Sequence, residues 1–464
     1  PFVTLLVEAN WPRGRLLREY TVLLDPPVYA PGPAASEPVA AAPRVSSGGA
    51  TSTRSAAPVA DTTTEPVRSS RPASPDVPAA APGIEPLCLK ELAALGVAGR
   101  EVPGGVEFKG RLHECYRANL HLRTAGRILM RIHSFHATSF SALEREARRF
   151  AWELFLPQAD TPRIQVATRR CRLHHTGAIA ERVLRGVQEH LGPPTEAPPN
   201  NSPCLQQIFI RGADDRFVVS IDSSGANLYR RGIKTHGGTA PLRETLAAAA
   251  LMWCGYTAAE PLLDPMCGAG TFSLEAALWA KQIPPGWFRD FAFTRWPACS
   301  GPRWAHMKRT ASESFATLET PRILASDTDA EACRRLEACV EASGLADAVA
   351  VHCADFFSLD PAALAVNPGI VVLNPPYGRR LGAPRAGRDL LRRMVERLAT
   401  HYRGWRFALL APQEIRARAL PFPHAARLFL HGGMRVALVV GDVPPRPAGK
   451  PQTDAAAAKP APMD

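Results

Sequence analysis

The most distinctive chemical signal in the sequence is Asn374-Pro375-Pro376-Tyr377, which directly follows the apolar run GIVVL. Proline fixes the backbone φ angle and lacks an N–H group, so two prolines make a stiff turn that presents carbonyl oxygens. The Asn374 side-chain oxygen and the Pro375 carbonyl can then accept both hydrogens of one exocyclic amino group. Tyr377 can stack on the base that carries this amine. We therefore predict that these four residues are catalytic and orient an amino group of a nucleobase.

A second signal is the run DPMCGAGT at residues 264–271, which lies between an apolar run and the helical segment FSLEAALWA. Glycines let a ligand approach the backbone, and the N-terminus of the following helix offers free N–H groups and partial positive charge. The run lacks the GK[ST] of phosphate-binding NTPase loops, which argues against ATP hydrolysis. We expect this turn to hold a carboxylate or a phosphate. The predicted cofactor-binding residues of the turn are Asp264, Pro265, Cys267, Gly268, Gly270 and Thr271.

Two further aspartates end apolar runs and could complete a nucleoside site. Asp327 follows RILAS and can accept hydrogen bonds from both ribose hydroxyls of an adenosine. It could equally serve as a helix N-cap, a role that is also open to Asp329. Asp355 follows AVAVHCA and could accept from an adenine amino group, or only begin the next loop. We predict that Asp327 and Asp355 bind the cofactor together with Asn374.

All of these signals follow short apolar runs that alternate with helical segments in residues 226–443. This alternation predicts a parallel sheet buried on both faces, and such sheets bind ligands at the carboxyl ends of their strands. The second half of the chain is therefore predicted to be an α/β domain with a Rossmann-like, doubly wound sheet.

The preceding stretch, residues 84–225, interleaves helices and strands without long crossovers, which predicts a small mixed α+β sheet covered by helices. A hairpin is predicted around Gly104-Gly105, and two closing strands are predicted around an Asp214-Asp215 turn. The predicted helices are Ile84–Leu95, Leu112–Leu122, Ser139–Phe155 and Thr176–Leu191, and the other predicted strands are Arg127–Phe135 and residues 164–170.

Arginines are dense in this α+β region. They could form a solvated face or an RNA-backbone surface, on which each cation would replace condensed counterions. The histidine pairs His133/His136 and His174/His175 have no Cys or carboxylate at ligand spacing, so no metal site is predicted. The predicted RNA-binding residues are Arg123, Arg127, Arg169, Arg170 and Arg172.

Composition sets broader limits on the protein. Its 464 residues include 55 Lys+Arg and 43 Asp+Glu, and the resulting net charge of +12 favours a polyanionic partner. Apolar residues make up 46% of the chain, which excludes a wholly disordered protein. The ten cysteines form no CxxC pair, which fits reduced thiols in the cytoplasm. The sequence contains no run of 18 apolar residues, so no membrane-spanning helix is predicted. Residues 31–83 hold ten prolines and no aromatic residue, so we predict a disordered linker there, and a disordered tail at 444–464.

The motifs DPMCGAGT, SDTD, HCAD and NPPYG, in this order, resemble class I S-adenosylmethionine-dependent methyltransferases that modify exocyclic amines of bases. The segments RRGIKTHGGTAPLRETLAAA and IPPGWFRDFAFTRWP are similar to those of THUMP-containing RNA guanine-N2 methyltransferases, and the nearest members resemble bacterial 23S rRNA enzymes. The resemblance covers Gly83 to Val443. It implies S-adenosylmethionine as cofactor, a ferredoxin-like/THUMP RNA-binding region at 84–225, an RNA substrate with rRNA favoured over tRNA, and a cytoplasmic enzyme without a membrane anchor.

Several alternatives stay open from the sequence. A tRNA guanine-N2 methyltransferase has the same two-part layout, and an adenine-N6 enzyme would use the same NPPY run. A non-enzymatic RNA-binding or envelope scaffold is suggested by residues 1–30, which resemble the N-terminal segment of FimV-type pilus-assembly proteins through GRLLREYTVLLDPP. Its two alternating apolar runs could pair as strands, but we expect this segment to stand apart from the enzyme. The oligomeric state is not predicted.

Overall fold

The protein is described from a computed structural model. The described residues are 6–11, 14–23, 83–102, 104–157, 161–192, 206–234, 242–376, 384–412, 420–431 and 434–445. Tyr377, the predicted linker up to Pro82 and the tail beyond residue 445 therefore lie outside the described residues.

The described chain alternates strands and helices from residue 85 onward. The strands are β1 Leu6–Trp11, β2 Gly14–Leu23, β3 Gly99–Val102, β4 Gly105–Lys109, β5 Arg127–His136, β6 Arg163–Arg169, β7 Gln207–Ala213, β8 Arg216–Asp222, β9 Leu262–Asp264, β10 Ile323–Asp327, β11 Val349–Cys353, β12 Ile370–Leu373, β13 Arg406–Pro412, β14 His424–His431 and β15 Met434–Asp442. The helices are α1 Glu85–Ala94, α2 Leu112–His121, α3 Phe140–Arg149, α4 Thr176–Leu191, α5 Glu244–Trp253, α6 Thr271–Ala280, α7 Gly301–Ser312, α8 Ala330–Ala342, α9 Pro361–Leu364 and α10 Pro384–His401.

The α+β region forms the predicted mixed sheet. Strands β5, β8, β7 and β6 lie side by side in that order, with β6 and β7 parallel and the other pairs antiparallel. Helices α3 and α4 pack together, and their buried side chains Leu143, Ile179 and Val183 share one core with Ile208 and Ile210 of β7. The predicted turn at Asp214-Asp215 is confirmed, and both residues take the positive φ angles that a tight hairpin of this kind requires.

One predicted helix is too long. The sequence indicates a helix over Ser139–Phe155, but α3 ends at Arg149 and a short 3-10 turn follows at Trp152–Leu154. Phe150 is extended, so its ring contacts Trp152 edge-on with centroids 4.8 Å apart and stacks on Phe155 at 6.0 Å. Burial of this aromatic cluster overrides the helical spacing of the sequence.

The N-terminal segment does not stand apart from the enzyme as expected. Strands β1 and β2 form the predicted antiparallel pair, and β2 also pairs with β5, with Glu19 opposite Arg131 and Leu23 opposite Arg127. The sheet therefore gains two strands at the β5 edge, since an edge strand offers unpaired N–H and C=O groups to any neighbouring strand.

The second half of the chain has the predicted doubly wound sheet. Its strand order is β11-β10-β9-β12-β13-β15-β14, with β9 to β13 parallel and β15 antiparallel to both of its neighbours. The central strands β9 and β12 are buried throughout, as expected for a sheet with helices on both faces. Chain order reverses between β9 and β12, and the crevice outside that point is where such sheets bind ligands.

The insertion at residues 283–297 contacts both halves. Phe293 stacks on Tyr116 of α2 with ring centroids 4.4 Å apart, and the Trp296 indole N–H donates to the Gln206 side chain at 2.8 Å. The Arg289 guanidinium donates to the backbone carbonyls of Ser224, Ala226, Asn227 and Arg230. These contacts fix the segment that joins the α+β region to the catalytic sheet.

Among the helices that the structure describes, we find none with the length and apolar character needed to span a membrane.

Candidate active site

Three strand ends meet at one edge of the seven-stranded sheet. Asp264 is the last residue of β9 and lies opposite Ala325 of β10, so Asp327 extends two residues beyond it. Leu263 lies opposite Val371 of β12, which places Asn374 a similar distance beyond on the other side. Neighbouring strands are about 4.8 Å apart, so Asp327 and Asn374 flank the turn after β9 at close range. The structure thus brings three of the predicted site residues, Asp264, Asp327 and Asn374, to the same edge of the sheet.

The turn after β9 is bound to β10. The Cys267 amide donates to the Ser326 carbonyl at 2.9 Å, and the Gly268 amide donates to Asp327 Oδ2 at 2.8 Å. Gly268 and Gly270 have φ angles of 51° and 68°, which favour glycine, and Gly270 is the N-cap of α6. Pro265 is buried beneath the turn. Burial also raises the pKa of the Cys267 thiol, which argues against a nucleophilic thiolate.

We expect Gly270→Ala to destabilise the protein more than Gly268→Ala. Both changes place alanine at positive φ, at a cost of about 1–2 kcal/mol each. A Cβ on Gly270 would lie 2.2 Å from Cδ1 of Leu336, which is only 2% exposed and cannot move aside, whereas a Cβ on Gly268 meets no described atom within 4 Å. Gly270→Ala should therefore lose about 1–3 kcal/mol more in urea unfolding. Equal losses for the two variants would contradict this packing.

Asp264 combines deep burial with one unused oxygen. Its Oδ2 accepts the Ser273 hydroxyl at 2.7 Å and the Ser273 amide at 3.2 Å, which ties the β9 end to the first turn of α6. Its Oδ1 is buried and has no hydrogen-bond partner among the described residues. Burial raises the pKa of Asp264 to about 7, although the bonds from Ser273 act to lower it. A cationic group that donates a hydrogen bond to Oδ1 would stabilise the ionised form of this buried carboxylate.

The two remaining aspartates differ in their surroundings. The Asp327 carboxylate accepts two backbone hydrogen bonds, one on each oxygen, from the amides of Gly268 and Asp329. Asp329 is the N-cap of α8, since its side chain accepts from the amides of Glu331 and Ala332. Asp355 is exposed two residues after β11, and its carboxylate accepts only from the Phe357 amide among the described residues. Asp327 is therefore free of the capping role that the sequence left open.

The Asn374 side chain has an unused hydrogen-bond acceptor. Its Oδ1 is buried and has no hydrogen-bond partner among the residues that the structure describes. Pro375 is buried and Pro376 is exposed, so the backbone leaves the sheet directly after Asn374. A buried amide oxygen without a partner is costly unless a ligand supplies the donor.

Lys234 lies beside the first turn of α6, although it is not among the predicted site residues. Its ammonium donates to Thr271 Oγ1 at 2.7 Å and pairs with Glu244 at 2.9 Å, so a positive charge lies beside the first residue of α6. No motif spacing marks this lysine; the only available signal was its place in the RRGIKTHGG segment.

Two of the predicted RNA-binding arginines are internal. Arg123 has a side chain 12% exposed and lies 3.7 Å from the buried Glu275 carboxylate, while donating to the Ile283 carbonyl at 3.1 Å. Arg127 is also 12% exposed and pairs with the buried Asp222. The internal use of both side chains speaks against the prediction that these two arginines bind RNA.

The other three predicted arginines lie at the surface. Arg169 is exposed at the end of β6, while Arg170 and Arg172 follow it with side chains 68% and 75% exposed. Arg170 pairs with Asp214 at 2.9 Å and Arg172 approaches Asp215 at 3.7 Å. Exposed pairs of this kind are weak, so all three guanidinium groups can reach a polyanion.

Residues 231–420 match a family described as an RMKL-like methyltransferase domain, and residues 78–129 match the RlmL ferredoxin-like domain. Residues 1–27 match the Ig-like N-terminal domain of FimV. These matches agree with the predicted fold class, in which a ferredoxin-like region precedes a Rossmann-like methyltransferase domain.

Curated proteins and solved structures give the same assignment. The chain is 34% identical, over 73% of its length, to ribosomal RNA large subunit methyltransferase K/L of Methylococcus capsulatus. It spans about half the length of such relatives, 47% in this case. It is 28% identical to the crystal structure of the methyltransferase candidate SMU.472 with SAH, covering 78% of this chain and 96% of that one with a TM-score of 0.67.

A shorter relative is matched along nearly its whole length. The chain is 30% identical to slr0064 of Synechocystis sp., named as a candidate RNA methyltransferase, over 76% of this chain and 92% of that protein. With the family match over the catalytic sheet, this similarity shows that the chain belongs to the RMKL-like family of S-adenosylmethionine-dependent methyltransferases.

Proposed function

We propose that this chain transfers a methyl group from S-adenosylmethionine to the exocyclic N2 of a guanine in RNA, with 23S rRNA as its natural substrate. The observation that carries the proposal is the buried Oδ1 of Asn374, which has no partner among the described residues and follows the strand next to β9 and its turn. That oxygen and the Pro375 carbonyl form a pair of acceptors suited to one amino group. The ribosomal RNA names of the longer relatives support the choice of RNA.

The residues around the turn fit the cofactor. Asp264 Oδ1 would accept from the ammonium group, and the α6 N-terminus with Lys234 would hold the carboxylate. Asp327 would accept from the ribose hydroxyls, and Asp355 from the adenine amino group. When bound, S-adenosylmethionine supplies a methyl group that is already electrophilic, because the sulfonium carries positive charge.

The protein's part in the reaction is to place and polarise the amine. A guanine amino group is a poor nucleophile because its lone pair is delocalised into the ring. Asn374 Oδ1 and the Pro375 carbonyl would each accept one N–H, which favours a pyramidal nitrogen and aims its lone pair. Orientation of this kind contributes up to about 7–11 kcal/mol. Tyr377 would stack on the base. The methylated ammonium then loses its proton to water, so no strong base is needed.

Cofactor affinity should fall as the pH is lowered through about 7. Asp264, whose pKa burial raises to about 7, is ionised above that pH and protonated below it. Only the carboxylate forms a charge-assisted bond with an ammonium group, so the dissociation constant should rise by up to about tenfold per pH unit below 7. Calorimetry on the full chain measures this. Asp264→Asn should bind weakly with no such pH dependence, and a flat profile in the unmodified protein would contradict the assigned role.

Substrate choice can be tested with the purified chain and S-adenosylmethionine labelled in the methyl group. Label should enter a 23S rRNA transcript faster than bulk tRNA, and double-stranded DNA should remain unlabelled. Preferential labelling of tRNA would overturn the rRNA assignment while keeping an RNA enzyme. Labelling of DNA alone would overturn the RNA substrate and favour an adenine-N6 enzyme, since the same acceptor pair serves both amines.

A further inference from the structure

Helices α3 and α4 cover only one face of the β5-β8-β7-β6 sheet. Along β7, Ile208 and Ile210 point into the core that those helices cover, whereas Phe209 is half-buried and Arg211 is exposed on the other face. Residues alternate between the two faces of a strand, so the opposite face carries Gln165, Ala167 and Arg169 from β6. We call this the open face.

The open face contains a cleft of about 270 Å³. Its lining includes Phe209, Val218, Ser220, Arg131, Gln165 and Arg211. The Arg127 guanidinium lies 5.8 Å from the centroid of the Phe209 ring. A partly exposed aromatic ring among arginines on a sheet surface is typical of platforms on which bases stack.

Positive charge is concentrated around this cleft. Burial lowers the pKa of Arg211, and the neighbouring charge of Arg169 lowers it further. Burial also lowers the pKa of Arg131 to about 10, with repulsion from Arg216. Glu107 is the one carboxylate among the described residues that line the cleft, and it lies 4.0 Å from Arg131. An added anion would offset the repulsion among these guanidinium groups.

We propose that the open face binds a single-stranded segment of the substrate RNA, with phosphates on Arg131, Arg169 and Arg211 and one base against Phe209. The proposal rests on the proposed methylation of RNA and adds where the RNA is held. It differs from the sequence prediction, because Arg123 and Arg127 are internal and Arg170 and Arg172 lie in the turn beside Asp214 and Asp215.

The test compares two double charge reversals in the full chain. Arg169→Glu/Arg211→Glu changes the open face. Arg145→Glu/Arg149→Glu changes the net charge equally, but on α3, where both arginines are exposed and lie about 4 Å from Glu146. Binding of a 23S rRNA transcript is measured at several salt concentrations, together with affinity for S-adenosylmethionine. Poly-glutamate serves as a competitor with the charge but not the bases of RNA.

The open-face reversal should raise the RNA dissociation constant at least about tenfold and reduce the salt slope by about 1.4, since each single-strand phosphate contact contributes about 0.7. The α3 reversal should leave both quantities within about twofold of the unmodified protein. Phe209→Leu should weaken binding at least about fivefold without changing the slope, because stacking releases no counterions. Cofactor affinity should not change in any variant.

Three results would overturn the proposal. Equal weakening by both reversals would mean that net charge alone attracts the RNA, and equal competition by poly-glutamate would point to an acidic protein partner instead. If the open-face variant binds RNA normally while the unmodified protein methylates it, RNA does not bind at the open face but the proposed function stands. If the unmodified protein neither binds nor methylates RNA, the proposed function fails together with this inference.

Discussion

Replacing Asn374 with alanine should lower kcat by about 10²- to 10³-fold while leaving the affinity for S-adenosylmethionine nearly unchanged. A loss of kcat of this size is typical when one preorganised hydrogen-bonding group is removed from a site where charge develops in the transition state. The Asn374 side-chain oxygen is buried without a described partner, so it supports the fold through no described hydrogen bond, and its proposed role is to accept from an incoming amine. Single-turnover methylation of a 23S rRNA transcript measures the rate, and calorimetry measures cofactor affinity.

Ser326→Ala is the matched control for this variant. Ser326 is fully buried beside the same edge, and its hydroxyl also has no described partner, but it lies on β10 behind the turn. Its loss should change kcat by less than about tenfold, since it touches no predicted substrate group. Loss of cofactor affinity in Asn374→Ala, or normal methylation by that variant, would contradict the assigned role of the amide.

Glu275→Ala should lower the free energy of unfolding by about 3–5 kcal/mol, because it leaves buried guanidinium charge without a carboxylate. Glu275 lies on α6 with a side chain 1% exposed. Arg231, 4% exposed, donates to it at 2.7 Å, and Arg123 approaches it to 3.7 Å. Arg231 also donates to the Arg123 carbonyl at 2.6 Å. This cluster joins the α+β region to α6, the helix that follows the turn after β9.

Urea unfolding of the full chain measures the loss. Glu396→Ala is the comparison, because it removes an ion pair with Arg392 in which both side chains are about 60% exposed. Exposed pairs contribute about 0–1 kcal/mol, so this variant should unfold nearly as the unmodified protein does. Similar small losses in both variants would mean that the buried cluster does not hold the two regions together.

The parts of the fold that the sequence predicted well are those with strong local signals. Apolar runs followed by chemically distinctive turns located β9, β10 and β12, and their shared edge follows from the rule that parallel strands bind ligands at their carboxyl ends. Helix α4 matches its predicted bounds at Thr176 and Leu191, because apolar spacing and a following glycine mark both ends. The placement of Asp264, Asp327 and Asn374 followed from these elements.

Other features depend on long-range contacts and could not be predicted locally. Arg123 and Arg127 have the same local sequence character as the exposed Arg169, yet their partners Glu275 and Asp222 lie 152 and 95 residues away along the chain. The contact between Lys234 and Thr271 is set by how two segments cross at the α6 N-terminus. Pairing of β2 with β5 likewise joins residues more than 100 positions apart.

The most direct test of the proposed chemistry is the identity of the nucleoside that the purified chain methylates. A 23S rRNA transcript is incubated with S-adenosylmethionine carrying a deuterated methyl group, digested to nucleosides and analysed by mass spectrometry. The proposed pairing of Asn374 and Pro375 with a guanine amine predicts label in N2-methylguanosine and its absence when Asn374 is replaced by alanine. Label in N6-methyladenosine, or in a ring nitrogen or ribose of any nucleoside, would contradict it.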